Sequence, residues 1–306
     1  MNIFITGASG FVGYQVLKKL DGMGYNLLIL QNERRLDSDL NVNHQTILGN
    51  LNELVKIKSD IMRFAPDVCM HFAWEGIPDY SANISKKNLY NSTMLCDFLI
   101  NETNCKKLIV SGSCFEYGKT YGACKEDEKM EATSFFAWAK QSLYDYLTLL
   151  CKNKGVNLFW GRIFYVYGPR QRKGSLIPAI VDSFTRGQVP QINNPLNAND
   201  FVYVEDIAEA FCRALEADIP SGAYNLGSGV STQVIRICRI IERGLLKSTC
   251  LSDEIFKKTS SNQEINFWAD TRKTTDAISW QPSVALTSGI DKYIQFKKRN
   301  TFYGRI

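Results

Sequence analysis

The first thirteen residues constrain the fold of this chain more than any other segment. A short apolar run, Ile3–Ile5, predicts a buried strand, and glycines follow at Gly7, Gly10 and Gly13. Apolar residues at helical spacing then predict a helix over Val12–Leu20. A strand, a glycine turn and a helix in this order form a dinucleotide site, with the diphosphate at the helix N-terminus. A tight turn in any other α/β protein is the alternative interpretation.

Each glycine of this turn has an expected physical role. Gly7 is expected to permit the tight turn, and Gly10 to let backbone N–H groups approach a diphosphate. Gly13 is expected to let the helix pack closely on the strand. Phe11 and Val12 follow Gly10, and we predict that they lie beside the cofactor.

The composition is that of an ordinary globular protein, with 306 residues, 45% of them hydrophobic and 22% charged, which is enough for one large domain or two. The net charge of +5 is mild, and no arginine-rich stripe predicts nucleic-acid binding. No apolar run is long enough to span a bilayer. Because Met1 leads straight into a core strand, no signal peptide is expected, and we predict a cytoplasmic protein.

The nine cysteines and two histidines do not predict a metal or disulfide site. The cysteine count is odd, the positions are scattered, and no Cys-x-x-Cys pair occurs. His71 ends a strand-like run, and we interpret it as a hydrogen-bonded core residue. Five cysteines with apolar neighbours are predicted to be small core residues: Cys69, Cys96, Cys151, Cys212 and Cys238.

Strand-like and helix-like stretches alternate through the first half of the chain. Helical patterns such as Ser85–Ile100 and Trp138–Lys152 separate strand-like runs, which predicts a doubly wound parallel sheet of the Rossmann type. Ligands of such sheets bind beyond the carboxyl ends of the strands, so motifs at those ends are expected to share one crevice. The predicted strands are Asn2–Thr6, Asn26–Gln31, Val68–Phe72, Lys107–Ser111 and Asn157–Arg162.

Shorter elements and longer loops begin near Pro169. We therefore predict a dinucleotide-binding domain over residues 1–168, to which a segment at about 200–228 returns. Residues 169–306 are predicted to form mainly a smaller substrate-binding lobe. Within that half, Asp200–Leu215 is expected to form a strand and then a helix.

The tip of the second predicted strand bears on the choice of cofactor. NAD enzymes usually carry a carboxylate there for the adenosine ribose, whereas this chain has Gln31. A neutral amide would not repel a 2′-phosphate, and Arg34 and Arg35 could pair with one. We therefore favour NADP(H), with NAD(H) as the alternative and a solvated loop as the other interpretation of the arginines. Asn50 and Leu51 are predicted to flank the adenine.

Further motifs follow in a regular order along nearly the whole chain. They are Phe72-Ala73, Asn88, Ser111–Gly118, Lys140, Arg162–Pro169, Asp200–Asp206, Tyr224–Gly229 and Trp280–Pro282. Together with the glycine turn, this order resembles the extended short-chain dehydrogenase/reductase family, in particular its nucleotide-sugar epimerases, dehydratases and reductases.

The resemblance implies hydride transfer between a nicotinamide and a sugar carbon. It assigns to Ser113 a hydrogen bond to the reacting oxygen, and to Lys140 a bond to the nicotinamide ribose. It also implies a homodimer formed through Ser85–Ile100 and Trp138–Lys152. By the same resemblance, Phe72, Ala73, Trp74, Ile163 and Phe164 lie beside the cofactor. Trp74, Cys114, Phe115, Tyr165 and Asn199 are likewise placed beside a nucleotide-sugar substrate.

One departure from the family concerns the general acid and base. The family places a tyrosine four residues before the lysine, where this chain has Phe136, which cannot exchange a proton. Three explanations stay open. The chain is an engineered Tyr-to-Phe variant; or another acid, a water molecule or Tyr165 takes the role; or catalysis has been lost.

Other departures narrow the chemistry. Cys114 and Phe115 stand where family dehydratases carry an Asp-Glu pair, which disfavours a 4,6-dehydratase. Asn199 stands where the family often has a diphosphate-binding arginine, and a second arginine, expected before Trp268–Asp270, is not found. Cations that could replace them are Arg170, Arg172, Lys173, Lys257 and Lys258.

Three functional hypotheses follow. The first is an NADP(H)-dependent reductase of a 4-keto-6-deoxy nucleotide sugar, favoured by Gln31 and by the missing dehydratase pair. The second is a 4-epimerase, which returns its hydride and moves protons twice. The third is a non-catalytic dinucleotide-binding protein, for which Phe136 is the only positive observation.

Overall fold

The computed structural model describes residues 1–32, 36, 42–118, 121–257 and 265–302. Its strands are β1 (Asn2–Thr6), β2 (Asn26–Gln31), β3 (Gln45–Leu48), β4 (Val68–His71), β5 (Lys107–Ser113), β6 (Tyr121–Cys124), β7 (Asn157–Ile163), β8 (Tyr165–Tyr167), β9 (Ala198–Tyr203), β10 (Gly222–Leu226), β11 (Ser231–Gln233) and β12 (Asn266–Ala269). Its α-helices are α1 (Phe11–Leu20), α2 (Leu54–Phe64), α3 (Ala82–Glu102), α4 (Phe135–Lys154), α5 (Leu176–Thr185), α6 (Val204–Glu216), α7 (Val234–Leu246), α8 (Cys250–Lys257), α9 (Arg272–Ile278) and α10 (Leu286–Phe302).

The larger sheet has seven parallel strands in the order β10-β7-β5-β4-β1-β2-β3. From β1 the chain adds strands toward one edge, and from β4 it adds them toward the other. The strand order therefore reverses between β1 and β4, which is the switch point of a doubly wound sheet. The predicted fold class is confirmed.

Helices cover both faces of this sheet because successive side chains of a strand point in opposite directions. Ile3 and Ile5 pack with the apolar side of α1 and α6, for example with Phe211. Phe4, between them, belongs to the core on the other face, with residues of α2, α3 and α4 such as Leu143. The short apolar run in β1 thus contributes to two cores at once.

Two elements that carry the site are longer than their sequence patterns, whereas β4, predicted to reach Phe72, ends at His71. The helix predicted to start at Trp138 begins at Phe135, because the Ser134 side chain accepts the Ala137 N–H at 3.2 Å and caps it. The strand predicted to end at Ser111 continues to Ser113, which pairs with Ile163 of β7. Both extensions fall at the crevice.

A second, five-stranded sheet follows the path β11-β9-β12-β6, with β8 beside β9. Helices α5, α7 and α10 enclose a separate apolar core with residues of β9. β6 lies in this sheet although it precedes residue 168, and β10 returns to the larger sheet. The boundary at 168 remains a prediction, and segments on both sides of it cross over.

The cysteines are all free thiols. The five that were predicted to be core residues are buried, as are three more, and only Cys250 is exposed. Within the ranges that the structure describes, no helix is long and apolar enough to cross a membrane.

Candidate functional site

The switch point opens into a cavity of about 340 Å³. It lies at the carboxyl ends of β1, β2 and β4, where the topology predicts a ligand. Leu30 and Asn32 of the β2 tip form part of its wall. Seven residues that were predicted to contact the cofactor also line it: Gly7, Gly10, Asn50, Leu51, Phe72, Ala73 and Trp74.

The glycine turn is held tightly against the segment after β4. Gly7 has a φ of +74°, and a Cβ atom there would lie 2.5 Å from the Ala73 nitrogen. A Cβ at Gly13 would lie 2.2 Å from the Gly7 carbonyl oxygen, so the helix begins directly on the turn. The Gly10 N–H donates to the same oxygen at 2.9 Å. Only glycine satisfies the backbone at residues 7 and 13, and this cradle fits a diphosphate at the start of α1.

Other predicted cofactor contacts lie farther from the cavity. Phe11 and Val12 form the first turn of α1, and Val12 packs against the core. Ile163 packs against that same core. Phe164 is buried, and its N–H donates to the Leu226 carbonyl at 3.0 Å. The cofactor roles of these four residues stay predictions.

Of the residues predicted to lie near the adenosine ribose, the structure describes Gln31 but not the two arginines that follow it. Gln31 is the last residue of β2, at the tip where a ribose-binding carboxylate was expected. The Gln31 carbonyl accepts the Gly49 N–H at 3.0 Å, which joins this tip to the adenine side of the cavity. Arg34 and Arg35 lie outside the described residues.

His71 and Asn88 fix the segment that follows β4. The His71 Nδ1 lies 2.6 Å from Thr6 Oγ1, and its Nε2 lies 2.9 Å from Ser92 Oγ. Burial, aided by the nearby Lys140 ammonium, lowers the pKa of His71 to about 3. His71 is thus a neutral, hydrogen-bonded core residue, as predicted. The Asn88 amide bonds both backbone groups of Glu75, at 2.8 and 3.0 Å, and so holds the residue next to Trp74.

Ser113 is fixed by a buried polar network beneath β5. Its hydroxyl oxygen accepts the Phe115 N–H at 3.2 Å, which leaves the hydroxyl hydrogen to donate to a substrate oxygen. The Ser113 N–H donates to the carboxylate of Glu116 at 2.7 Å. Glu116 also accepts from Trp160 and forms a 2.9 Å ion pair with Arg162. Burial raises the pKa of Glu116, and Arg162 opposes that rise.

Sequence reasoning assigned no role to Glu116. The available signal was a charged residue among the apolar and aromatic side chains that follow Ser113. A carboxylate with 0% exposure, bonded by three donors, keeps the strand end rigid.

Lys140 lies one helical turn after Phe136 and is almost fully buried. Its ammonium donates to the Ser111 carbonyl at 2.6 Å and lies 3.9 Å from the centre of the Trp74 ring. Burial lowers the pKa of Lys140 to about 7, while Glu116 works in the opposite direction. Trp74 therefore lines the dinucleotide cavity and also covers the ammonium. No sequence pattern indicates this cation–π contact.

Five aromatic residues meet at the substrate side of Lys140. They form the aromatic cluster: Trp74, Tyr80, Phe115, Phe136 and Tyr165. Phe136 is 7% exposed, and its ring centre lies 5.1 Å from that of Tyr80, 5.7 Å from Trp74 and 6.1 Å from Phe115. Tyr165 packs on Phe115 at 6.0 Å. Sequence reasoning named every member except Tyr80, because a tyrosine in a polar loop carries no distinguishing pattern.

The remaining predicted substrate residues lie toward the second sheet. Cys114 is buried in an apolar cluster with Phe164 and Phe267. Asn199 lies in β9 and is 7% exposed, and its side-chain oxygen has no hydrogen-bond partner in the described structure.

One of the cations proposed for a diphosphate, Arg170, contacts α1. The Arg170 guanidinium lies 3.8 Å from the centre of the Tyr14 ring on α1, at the dinucleotide side. Lys258 lies outside the described residues. In the part of the chain that the structure describes, no group of His, Cys, Asp and Glu residues could hold a metal ion.

A glycine turn at the switch point of a parallel sheet, with Ser113 at the end of β5 and Lys140 of α4 bonded to the same strand, is typical of dinucleotide-binding α/β proteins. The model of the NAD dependent epimerase/dehydratase family matches residues 3–227. The chain belongs to this family, and its resemblance to the extended short-chain dehydrogenases/reductases is confirmed.

Individual relatives are distant but match along nearly the whole chain. A dTDP-4-dehydro-6-deoxyglucose reductase of Escherichia coli is 24% identical, covering 96% of both chains. A putative UDP-glucose 4-epimerase of Methanocaldococcus jannaschii is 24% identical, covering 97% of this chain and 99% of the relative. The solved UDP-glucose 4-epimerase of Thermotoga maritima, with UDP-glucose, is 21% identical with a TM-score of 0.84, covering 98% of this chain and 100% of that one. At this identity the structural likeness shows the fold.

Proposed function

We propose that this chain is an NAD(P)H-dependent oxidoreductase of nucleotide sugars that reduces a 4-keto-6-deoxy sugar. The observation that carries the proposal is the position of Lys140 on α4: its ammonium donates to the Ser111 carbonyl of β5, the strand that ends at Ser113, and lies over Trp74, which lines the cavity with the glycine turn. The nicotinamide supplies a hydride when it is bound. Ser113 donates a hydrogen bond to the carbonyl oxygen, and Lys140 contributes positive charge beside it.

Reduction fits this site better than epimerisation does. An epimerase needs one group that first removes a proton from the sugar hydroxyl and then returns it. Phe136 cannot do this, and burial raises the pKa of Tyr165, so that its hydroxyl keeps its proton. A reductase needs only a proton donor. The match to a reductase of dTDP-4-dehydro-6-deoxyglucose supports the same choice.

The test is to incubate the purified chain with NADPH or NADH and a dTDP-4-keto-6-deoxyhexose. We expect cofactor oxidation in proportion to the reduced sugar formed. Conversion of UDP-glucose to its 4-epimer without net cofactor oxidation would favour the epimerase instead. Tight dinucleotide binding with neither reaction would favour a non-catalytic protein.

We further propose NADP(H) as the preferred cofactor, because the β2 tip carries the amide of Gln31 and not a carboxylate. A structural relative, the dTDP-glucose 4,6-dehydratase of Bacillus anthracis, was solved with NAD, so both cofactors need to be compared. The measurement is the ratio of the two dissociation constants by calorimetry.

We propose a homodimer formed by the outer faces of α3 and α4. Tyr90 is 65% exposed on α3, and Leu149 is 65% exposed on α4. The hydroxyl of Tyr146 bonds Asp97 and joins the two helices, so their exposed apolar residues form one surface. In sedimentation experiments Leu149→Glu should give monomers, whereas Val55→Glu, at a still more exposed apolar residue on α2, should not. A monomeric native chain would contradict the proposal.

A further inference from the structure

The proposed site has a cavity with the glycine turn and a hydrogen-bond donor in Ser113, but it lacks the tyrosine that the family resemblance predicts at residue 136. A carbonyl oxygen that gains no proton becomes an unstable alkoxide, so some group must supply one. Two phenols belong to the aromatic cluster, Tyr80 and Tyr165, and they approach Phe136 in different ways.

Tyr80 packs directly on Phe136. The two ring centres lie 5.1 Å apart with a tilt of 52°, the shortest ring distance within the aromatic cluster. Tyr80 belongs to the segment between β4 and α3 that also carries Trp74, the residue over the Lys140 ammonium. Its ring is therefore next to the residue that occupies the expected acid position, and that residue in turn packs on Trp74 of the cavity wall.

Tyr80 also reaches solvent. It is 38% exposed and lines an open groove of about 720 Å³ together with Ser134 and Phe135 at the start of α4. A phenol at the boundary between this groove and the cluster can exchange its proton with water after each turnover. No relay of buried groups is required.

Tyr165 has different surroundings. Its ring packs against Phe115, Phe201 and Phe267, at 5.7 to 6.0 Å, on the side of the second sheet. Burial raises the pKa of Tyr165, and the neighbouring Cys114 thiol and Tyr80 hydroxyl add to the rise. Tyr165 is half-buried, and its ring contacts are with Phe115 and the second sheet, whereas Tyr80 packs directly on Phe136. The ring and position of Tyr165 suit a wall of the substrate site.

We propose that the Tyr80 hydroxyl donates the proton to the sugar oxygen, in the role that Phe136 cannot perform. This inference rests on the proposed reductase function. The carbonyl carbon gains a hydride from the reduced nicotinamide, so the C=O π bond is replaced by one C–H and one O–H bond. The oxygen takes the Tyr80 proton, and the phenolate is reprotonated by water in the groove. The cofactor loses two electrons, the sugar gains them, and one solvent proton is consumed.

The experiment compares Tyr80→Phe, Phe136→Tyr and the double variant with the native chain, with NADPH and a dTDP-4-keto-6-deoxyhexose as substrates. We expect Tyr80→Phe to lower kcat by about 100-fold or more, the usual contribution of a general acid, with little change in the KM for NADPH. Phe136→Tyr in the Tyr80→Phe background should restore most of the lost kcat. Tyr121→Phe, an exposed tyrosine on β6, is the control and should keep native activity.

Rescue separates proton transfer from packing, because a new hydroxyl at residue 136 does not replace a lost packing contact of Tyr80. A loss in Tyr80→Phe that Phe136→Tyr does not repair would overturn the inference. So would native kcat in Tyr80→Phe together with a large loss of kcat in Tyr165→Phe.

Failure of the proposed function has a different signature. If the native chain is inactive and Phe136→Tyr alone reduces the keto sugar, the reductase site is supported and Tyr80 is excluded as its donor. If neither protein oxidises NADPH with the keto sugar, the reductase function itself is wrong, and the inference fails with it.

Discussion

The two ends of the crevice differ in what forms them: backbone at one end and side chains at the other. At the proposed phosphate end the backbone shapes the site, since Gly7 and Gly13 have no room for a Cβ atom. At the proton-transfer end side chains dominate, with Trp74 over Lys140 and Phe136 enclosed by other rings. A turn whose backbone leaves no room for a Cβ atom accepts only glycine, so its sequence follows the family pattern. A site formed by side chains can change a residue and still keep its overall packing. On the proposed function, the chain keeps the glycine turn of the family pattern and carries Phe136 where the resemblance predicts the acid.

The largest effect is expected from the network that supports the side-chain end. Glu116→Ala leaves the Arg162 guanidinium, 1% exposed, without its partner carboxylate. Breaking a buried pair in this way typically costs about 3 to 5 kcal/mol of unfolding free energy. Denaturant unfolding measures the loss, and Glu53→Ala, from an exposed pair with Lys56, should cost less than about 1 kcal/mol. Equal losses of unfolding free energy in the two variants would show that the Glu116 network does not stabilise the side-chain end.

The phosphate end is tested by Gly7→Ala. The added Cβ would meet the Ala73 backbone, so we expect dinucleotide affinity to fall by at least about 100-fold, or about 2.7 kcal/mol. Gly22→Ala is the matched control, because its φ is also +74° but nothing lies within 4 Å of the new atom. Calorimetric titration of both variants separates the clash from the backbone strain. Similar affinities would mean that the cradle is not shaped by Gly7.

A pH dependence is expected from Lys140. Its pKa in the folded chain is lowered to about 7, whereas an unfolded lysine holds its proton to about pH 10.4. Above pH 7 the unfolded state therefore binds more protons, and the stability of the native chain rises with pH by at most about 1.4 kcal/mol per unit. Below pH 7 both states are protonated, and Lys140 adds no slope.

Urea unfolding between pH 7 and 9 checks this effect in Lys140→Met, which should lose that part of the rise. Lys56→Met, at an exposed lysine, should keep the native slope. An unchanged slope in Lys140→Met would show that the ammonium titrates as an ordinary lysine.

The smallest effect concerns cofactor choice at the backbone end. Gln31→Asp places a carboxylate at the β2 tip, where it would repel a 2′-phosphate and accept ribose hydroxyls. NADPH affinity should fall by about 10-fold relative to NADH affinity, which is about 1.4 kcal/mol. Gln45→Glu adds the same charge at the far end of the neighbouring β3 and should leave the ratio unchanged. A ratio unaffected by Gln31→Asp would exclude this tip from cofactor selection.

Five of the seven strands of the larger sheet were predicted from the sequence, because a fully buried parallel strand must be apolar on both faces. Ile3–Ile5 and Asn26–Gln31 show this directly, and their ends were placed correctly. The helix start at Phe135 was missed, because an N-cap serine in a polar loop looks like any other loop serine until its hydrogen bond is seen.

Local spacing determined the glycine turn and the alternation that predicts the sheet type, and the family resemblance identified Ser113 and Lys140. The tertiary structure alone decided that Trp74 covers Lys140, that Glu116 is held by Arg162 and that Tyr80 packs on Phe136. These partners are separated by 46 to 66 residues along the chain, and only the folded sheet brings them within contact distance. The glycine turn can therefore be predicted from one short segment, whereas the side-chain contacts around Lys140 and Phe136 depend on the whole fold.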